Sequence, residues 1–217
     1  EWLYAFVDPN SGDAPNLGDN DGARLLPITE TDYRDYRPSV ELAAAIFCQR
    51  QAYALPPELL PHTQAQRRTL GVTTHSESFP PPASRVYDSG GYALLIHKTS
   101  RAYIKYPRYR FRPSHADALH LDFWLRSHNI LRDGGSYSYA AEQDWQNYFR
   151  GVTSHNTVQF DDRDQMPRLG RFLYGAWLQT EALTFRQDEE TSYFSATYQD
   201  WQDALHQRSV SLQAGCL

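Results

Sequence analysis

"ALHLDFWLR", residues 118–126, is the stretch that decides the fold. Leu119, Leu121, Phe123 and Leu125 fall on one face, and His120, Asp122, Trp124 and Arg126 fall on the other. A period of two belongs to an extended strand, and one apolar face predicts a half-buried antiparallel sheet. Comparable runs lie on both sides: "YALLIHKTS" (92–100), "RAYIKY" (101–106), "NTVQF" (156–160), "RFLYGAWLQTEALTF" (171–185), "SYFSATYQ" (192–199) and "QRSVSLQ" (207–213). Many short strands at close spacing predict a β-sandwich or barrel.

The N-terminal part reads differently. "PSVELAAAIFCQRQAY" (38–53) carries a helical apolar stripe, with Ser39 placed to cap it and Glu41 near its positive end. Pro56, Pro57 and Pro61 are expected to stop it. The stretch before it, "DPNSGDAPNLGDNDGARLLP" (8–27), is turn-rich. Its "DNDG" has the look of a calcium loop, but the remaining ligand spacing is missing and a solvated loop is the simpler reading. Residues 55–84 read as a linker closing on the stiff "FPPPAS". The expected fold class is α+β and mainly β: a helical part over 1–54, the linker, and an antiparallel β-sandwich over 85–217.

Composition narrows the function. Net charge is −5 over 217 residues, which argues against a general affinity for nucleic acid or anionic membrane, though a local basic patch is compatible with it. No apolar stretch is long enough for membrane insertion, and no signal peptide is visible. Aromatic residues make up 14%, which suits sugar rings and equally suits well-packed strands. The two cysteines, Cys48 and Cys216, follow no metal or redox spacing. The chain starts without Met and ends on an apparent strand, so it reads as a piece of something longer.

The chemistry candidates sit where loops meet strands. His115, Asp133 and His155 offer two imidazoles and a carboxylate, a shell that suits zinc with a fourth position for water or substrate. Spacing alone leaves a plainer alternative, with Asp133 bonding the amides of Gly134 and Gly135 and the histidines as ordinary loop residues. His120 and His128 have no partner spacing and are expected to be solvated or structurally bonded. Tyr137 and Tyr139 share a face and are expected to pack.

Four short motifs, "DSGGY" (88–92), "HADAL" (115–119), "DGGSYSY" (133–139) and "HNTV" (155–158), follow one another in order. In this the chain resembles the C-terminal domain of the heparinase II/III family of polysaccharide lyases over about residues 85–217. Residues 1–54 resemble the end of the α/α toroid that precedes that domain. The resemblance implies a metal, usually zinc, held by His115, Asp133 and His155. It implies β-elimination of a uronic-acid-containing polysaccharide, with an acidic polysaccharide or oligosaccharide as partner and a periplasmic or extracellular setting. The family's main catalytic Tyr would lie upstream of residue 1. Within the chain, Tyr148, Arg150 and Asn156 are the residues expected at the cleft, with Gln165 helping to shape it.

One position departs from the family. Many members carry a catalytic histidine two residues before the "HAD" histidine, and here that position is Pro113. A proline cannot titrate. The alternatives are therefore a non-catalytic carbohydrate-binding β-sandwich with a structural metal, or a domain whose metal only staples loops.

Overall fold

The computed structural model describes residues 1–20, 31–55, 57, 59–73, 77–171 and 173–213. They divide into two compact units, Glu1–Ala14 with Gly22–Pro82, and Pro15–Asp21 with Ala83–Leu217. The "DNDG" segment falls partly outside the described residues, since positions 21 and 22 are not among them.

The first unit holds helices α1 (Trp2–Phe6), α2 (Arg37–Cys48) and α3 (Leu60–Leu70). Val7, Val40, Ala44, Ala52 and Tyr53 form its buried core. Ser39 does not cap α2, because the helix begins at Arg37 with Pro38 in its first turn, where a missing N–H costs nothing. Gln49 ends it in a left-handed conformation (φ 55°), well before the prolines expected to do so. Nor does Glu41 serve the helix end. It is buried, and one carboxylate oxygen accepts from the amides of Ala52 (3.0 Å) and Tyr53 (2.6 Å), while the other pairs with Arg67 (2.6 Å). Burial raises the Glu41 carboxyl above its ordinary range despite these bonds. The segment read as a linker contains α3, with Pro61 again in a first turn rather than at a stop.

The second unit is mostly β. Strands β1 (Arg85–Tyr87), β2 (Tyr92–His97), β3 (Ser100–Lys105), β4 (His120–Leu125) and β5 (His128–Leu131) make one antiparallel sheet in chain order. β6 (Arg168–Gly170) and β7 (Leu173–Tyr174) form a short pair, and β8 (Thr180–Gln187), β9 (Thr191–Gln199) and β10 (Leu205–Gln213) form a meander. An unforeseen helix, α4 (Gln143–Arg150), lies between β5 and β6. "NTVQF" is not a strand. Its backbone is used elsewhere: the Asn156 carbonyl accepts from Leu121 (3.1 Å) and the Thr157 hydroxyl donates to Ala118 (2.6 Å).

The register explains the alternation. Ala93 pairs Ile104 and Ile104 pairs Leu121; Leu95 pairs Ala102 and Ala102 pairs Phe123. These side chains pack with Phe194, Ala196 and Tyr198 of β9 in one core. Each fully buried aliphatic side chain there contributes about 1.5–3 kcal/mol by leaving water. The opposite face carries the rows Tyr92–Lys105–His120 and Leu94–Tyr103–Asp122. The expected half-buried sheet is corrected here: along β4 the polar side chains His120 and Asp122 are fully buried, while Leu121, Phe123 and Leu125 are only partly so. The polar face is covered by the loops that carry the candidate site. Leu119 has left the strand altogether, with φ 56°.

Candidate metal centre

The loop after β5 sets Asp133 beneath the polar face of the sheet. Gly134 and Gly135 let it turn there. A Cβ on Gly134 would lie 2.8 Å from the Ser154 carbonyl, and one on Gly135 (φ +67°) would lie 1.9 Å from Asn16 Nδ2. The Gly135 amide donates to Asp133 Oδ1 (2.7 Å), so half of the plainer sequence reading holds; the Gly134 amide goes instead to Ser154.

His115, Asp133 and His155 converge. All three are buried, and one donor atom from each lies within 4.8 Å of the other two. Donors on a single tetrahedral zinc would be roughly 3.3 Å apart, so a modest inward movement would close the set. His155 Nδ1 is 3.2 Å from Asp133 Oδ2, and the two histidine rings stack with centroids 5.2 Å apart. Burial pushes the Asp133 carboxyl up, but the His155 bond, the charges of His155 and His120 and the Gly135 amide bring it down to about 2. It is therefore an anion at neutral pH.

His115 Nδ1 and His155 Nε2 are buried without a hydrogen-bond partner among the described residues. Leaving such atoms unmatched costs about 1–3 kcal/mol each, and a cation would match them. Two imidazole nitrogens and a carboxylate are a set that zinc takes. The residues present fit the group.

Two further residues border the cluster. His120, expected to be solvated or structurally bonded, is structurally bonded and fully buried; its place beside the cluster is what sequence reasoning missed. Its Nδ1 accepts from the Asn156 amide (3.0 Å), so in the neutral ring the proton sits on Nε2. That nitrogen lies 3.4 Å from Asp133 Oδ2, close enough for electrostatic support but not aligned as a hydrogen bond. Alternation placed His120 opposite the leucine row, and that was the signal; what covers that face could not be read. The second is Asp19. Its Oδ1 is 3.5 Å from His115 Nε2, and Asn20 donates its amide to Ser136 Oγ (3.2 Å). The His115 bond, with help from the charges of His115 and Arg150 and against partial burial, holds the Asp19 carboxyl below its usual range. No spacing rule joins residue 19 to residue 115.

The other expected site residues are more dispersed. Tyr148 is half-exposed on α4, with its ring edge-on to Phe149. Arg150 is buried: it donates to the Arg171 carbonyl and lies over the Tyr139 ring at 5.6 Å. Asn156 works through its backbone on His120 and Leu121, while its side chain donates to the Arg132 carbonyl (3.1 Å). Gln165 is buried and brackets the Ala118 peptide, accepting from its N–H (2.8 Å) and donating to its C=O (3.1 Å). Tyr137 packs on Phe149 as expected (centroids 5.1 Å) yet stays largely exposed.

A helical part ahead of a mostly antiparallel β unit that gathers two histidines and an aspartate is the class these observations define. The family model for the C-terminal region of heparinase II/III-like proteins matches residues 80–215. The chain belongs to that family. No curated protein matches it significantly. Among solved structures it is similar to a heparinase III, the BT4657 gene product (TM-score 0.65, 15% identity, 97% of this chain and 28% of that one). It is also similar to the heparan sulfate lyase HepC from Pedobacter heparinus (TM-score 0.60, 15% identity, 98% and 29%) and to a further heparinase III (TM-score 0.60, 15% identity, 97% and 31%). At these identities the likeness shows the fold. The chain spans less than a third of each of these proteins.

Proposed function

We propose that this chain is the metal-bearing C-terminal portion of a polysaccharide lyase that cleaves an acidic, uronate-containing glycan by β-elimination. The observation that carries the reading is the convergence of buried His115, Asp133 and His155, with two unmatched imidazole nitrogens, in a chain of the heparinase II/III-like family. A divalent cation, zinc by its donor set, would be held by these three side chains and would fix the surrounding loops and polarise nearby oxygen atoms.

The chain's own residues have separable tasks. His120 and Ser136 orient the ligand side chains, Ser136 Oγ lying 3.3 Å from His115 Nε2. Arg150 acts through the Asp19 carboxylate and braces the loop; its carbonyl accepts from the Ala116 amide (2.9 Å) next to His115. Tyr148 is a half-exposed phenol of this region, and such a group can pass a proton during elimination. The further acid and base belong to the helical part of the longer protein. By the same kinship a periplasmic or extracellular setting is proposed; among the described residues no helix is long and apolar enough to cross a membrane.

Supplying uronate polymers to the full-length protein should generate new ultraviolet absorbance from an unsaturated uronate product. His155→Ala should abolish both the signal and bound zinc. Zinc binding by the wild type with no product from heparan-type, alginate-type or other uronate polymers would favour the second reading, a non-catalytic carbohydrate-binding module. The specific feature on that side is buried Pro113, which stands where relatives carry a titratable histidine.

A further inference from the structure

Immediately before the metal centre the chain runs "PRYRFRPS", residues 107–114. It borders a cavity of about 370 Å³, a volume in the range of small-ligand sites. Lys105, Arg108, Arg110 and Arg112 are among the lining residues, and none of the lining residues is acidic. On a chain of net charge −5 this is a local reversal of sign.

The cations are not equivalent. Lys105 is committed to Asp117, with Nζ 2.5 Å from Oδ2 in a buried pair. Arg108 is committed to Asp88 (2.9 Å) and lies over the Tyr106 ring. Arg110 is exposed; its charge helps hold the Asp88 carboxyl low, but among the described residues it makes no direct hydrogen bond or ion pair. A guanidinium left available beside a cavity is suited to a carboxylate or sulfate, which it grips with paired N–H groups. Tyr109 also lines the cavity, but its hydroxyl is buried out of the reach of solvent, and burial keeps it protonated. Phe111, 85% exposed, offers a flat apolar wall of the kind that packs on a sugar ring.

The cavity adjoins the candidate centre along the chain and in the sheet register. Ser114, in its lining, is bonded to His115, and Lys105 sits opposite His120 in the strand register. The geometry points to this cavity as an anion-binding subsite for an acidic sugar unit. Arg110 is its principal contact, and the anion is the carboxylate or sulfate of a glycan lying beside the metal centre. This rests on the polysaccharide reading above and assigns the position and charge of one recognition element within it.

The test is binding rather than turnover. The 217-residue chain is titrated, with a chelator present, against a heparan sulfate tetrasaccharide, its fully desulfated uronate counterpart and a neutral N-acetylglucosamine tetrasaccharide. Binding of the sulfated probe alone identifies a sulfate site, and binding of both acidic probes identifies a carboxylate site; either supports the inference. Arg110→Gln should weaken acidic-probe binding by at least about tenfold and flatten its salt dependence, whereas Arg110→Lys, which keeps the charge but not the paired N–H groups, should lose less affinity and keep the salt dependence. Melting temperature should move little and zinc content not at all in either variant, since Arg110 acts within the fold only as a charge near the exposed Asp88. Unaltered affinity in Arg110→Gln, or equal binding of the neutral probe, would overturn the inference. Product formation by a full-length Arg110→Gln protein with unchanged KM would also sink it while leaving the lyase reading intact.

Discussion

The two faces of the five-stranded sheet are made from alternate residues of the same strands, yet they follow different rules. On one face Ala93, Leu95, Ala102 and Ile104 meet the meander in a core that needs only apolar volume. On the other, Lys105, His120 and Asp122 are equally buried and survive there through specific partners. Asp122 accepts from the Trp124 indole, the Asn129 side chain (3.4 Å) and the Asp133 amide (3.3 Å). Burial alone therefore does not separate structure from site. What marks the site is that unmatched buried nitrogens gather there: His115 Nδ1, His155 Nε2 and the neighbouring His120 Nε2 lack hydrogen-bond partners around one buried carboxylate, Asp133.

Neighbouring positions 104 and 105 allow the contrast to be broken most directly. Lys105→Met should cost about 3–5 kcal/mol, because Asp117 would be left buried without its cation. Urea unfolding of the isolated chain measures this. Burial pulls the Lys105 ammonium down, but the Asp117 carboxylate more than offsets it, so both members are charged in the fold. Second in size is the metal effect. Asp133→Asn should lose zinc as read by elemental analysis, and at a free-metal level a thousand times Kd the wild type should gain about 4 kcal/mol over the chelated form. A mutant that keeps stoichiometric zinc would sever the link between unmatched atoms and a guest ion.

On the apolar face, Ile104→Val should cost only about 0.5–1.5 kcal/mol and leave zinc content unchanged. A pH prediction sharpens the contrast among histidines. His206 on β10 faces the Tyr198 hydroxyl (3.3 Å); burial, with help from the Arg208 charge, lowers it from 6.5 to about 4. A lowered histidine is neutral in the fold and protonates more readily once unfolded. Its contribution is thus full above about pH 6.5 and fades as pH falls toward about 4. His206→Phe should flatten the pH dependence of the melting temperature across that window. The smallest effect expected is Tyr148→Phe, within about 0.5 kcal/mol of wild type because that residue is half-exposed, with any loss confined to turnover by the full-length protein.

Much of this was legible in the sequence because alternation and turn residues act locally. β2, β3, β4, β8, β9 and β10 fall within the runs that alternation marks, extended by a residue or two at some ends. The three metal candidates stood out through short motifs in order. Most of what failed was governed by distant partners. Helix α3 is the local exception: Pro61, read as a stop, sits in its first turn, where proline is tolerated. "NTVQF" gave up strand pairing to serve Ala118, Leu121 and His120. Arg150, expected at the cleft, lies buried against the Arg171 carbonyl and the Tyr139 ring, a setting its motif did not reveal. Asp19 belonged to a turn-rich loop whose composition said nothing of histidine.

Asp19 and Asn16 carry a practical consequence for anyone trimming this molecule. Cutting at the proline hinge to obtain 83–217 alone would keep every strand and all three candidate ligands. It would nevertheless strip away the short strip, Pro15–Asp21, that belongs to the same compact body. His115 would then lose Asp19, one of its two acidic neighbours, and the tight corner at Gly135 would lose Asn16. The compact β unit is thus assembled from two separated pieces of polypeptide, and a faithful miniature must graft the leading one back on.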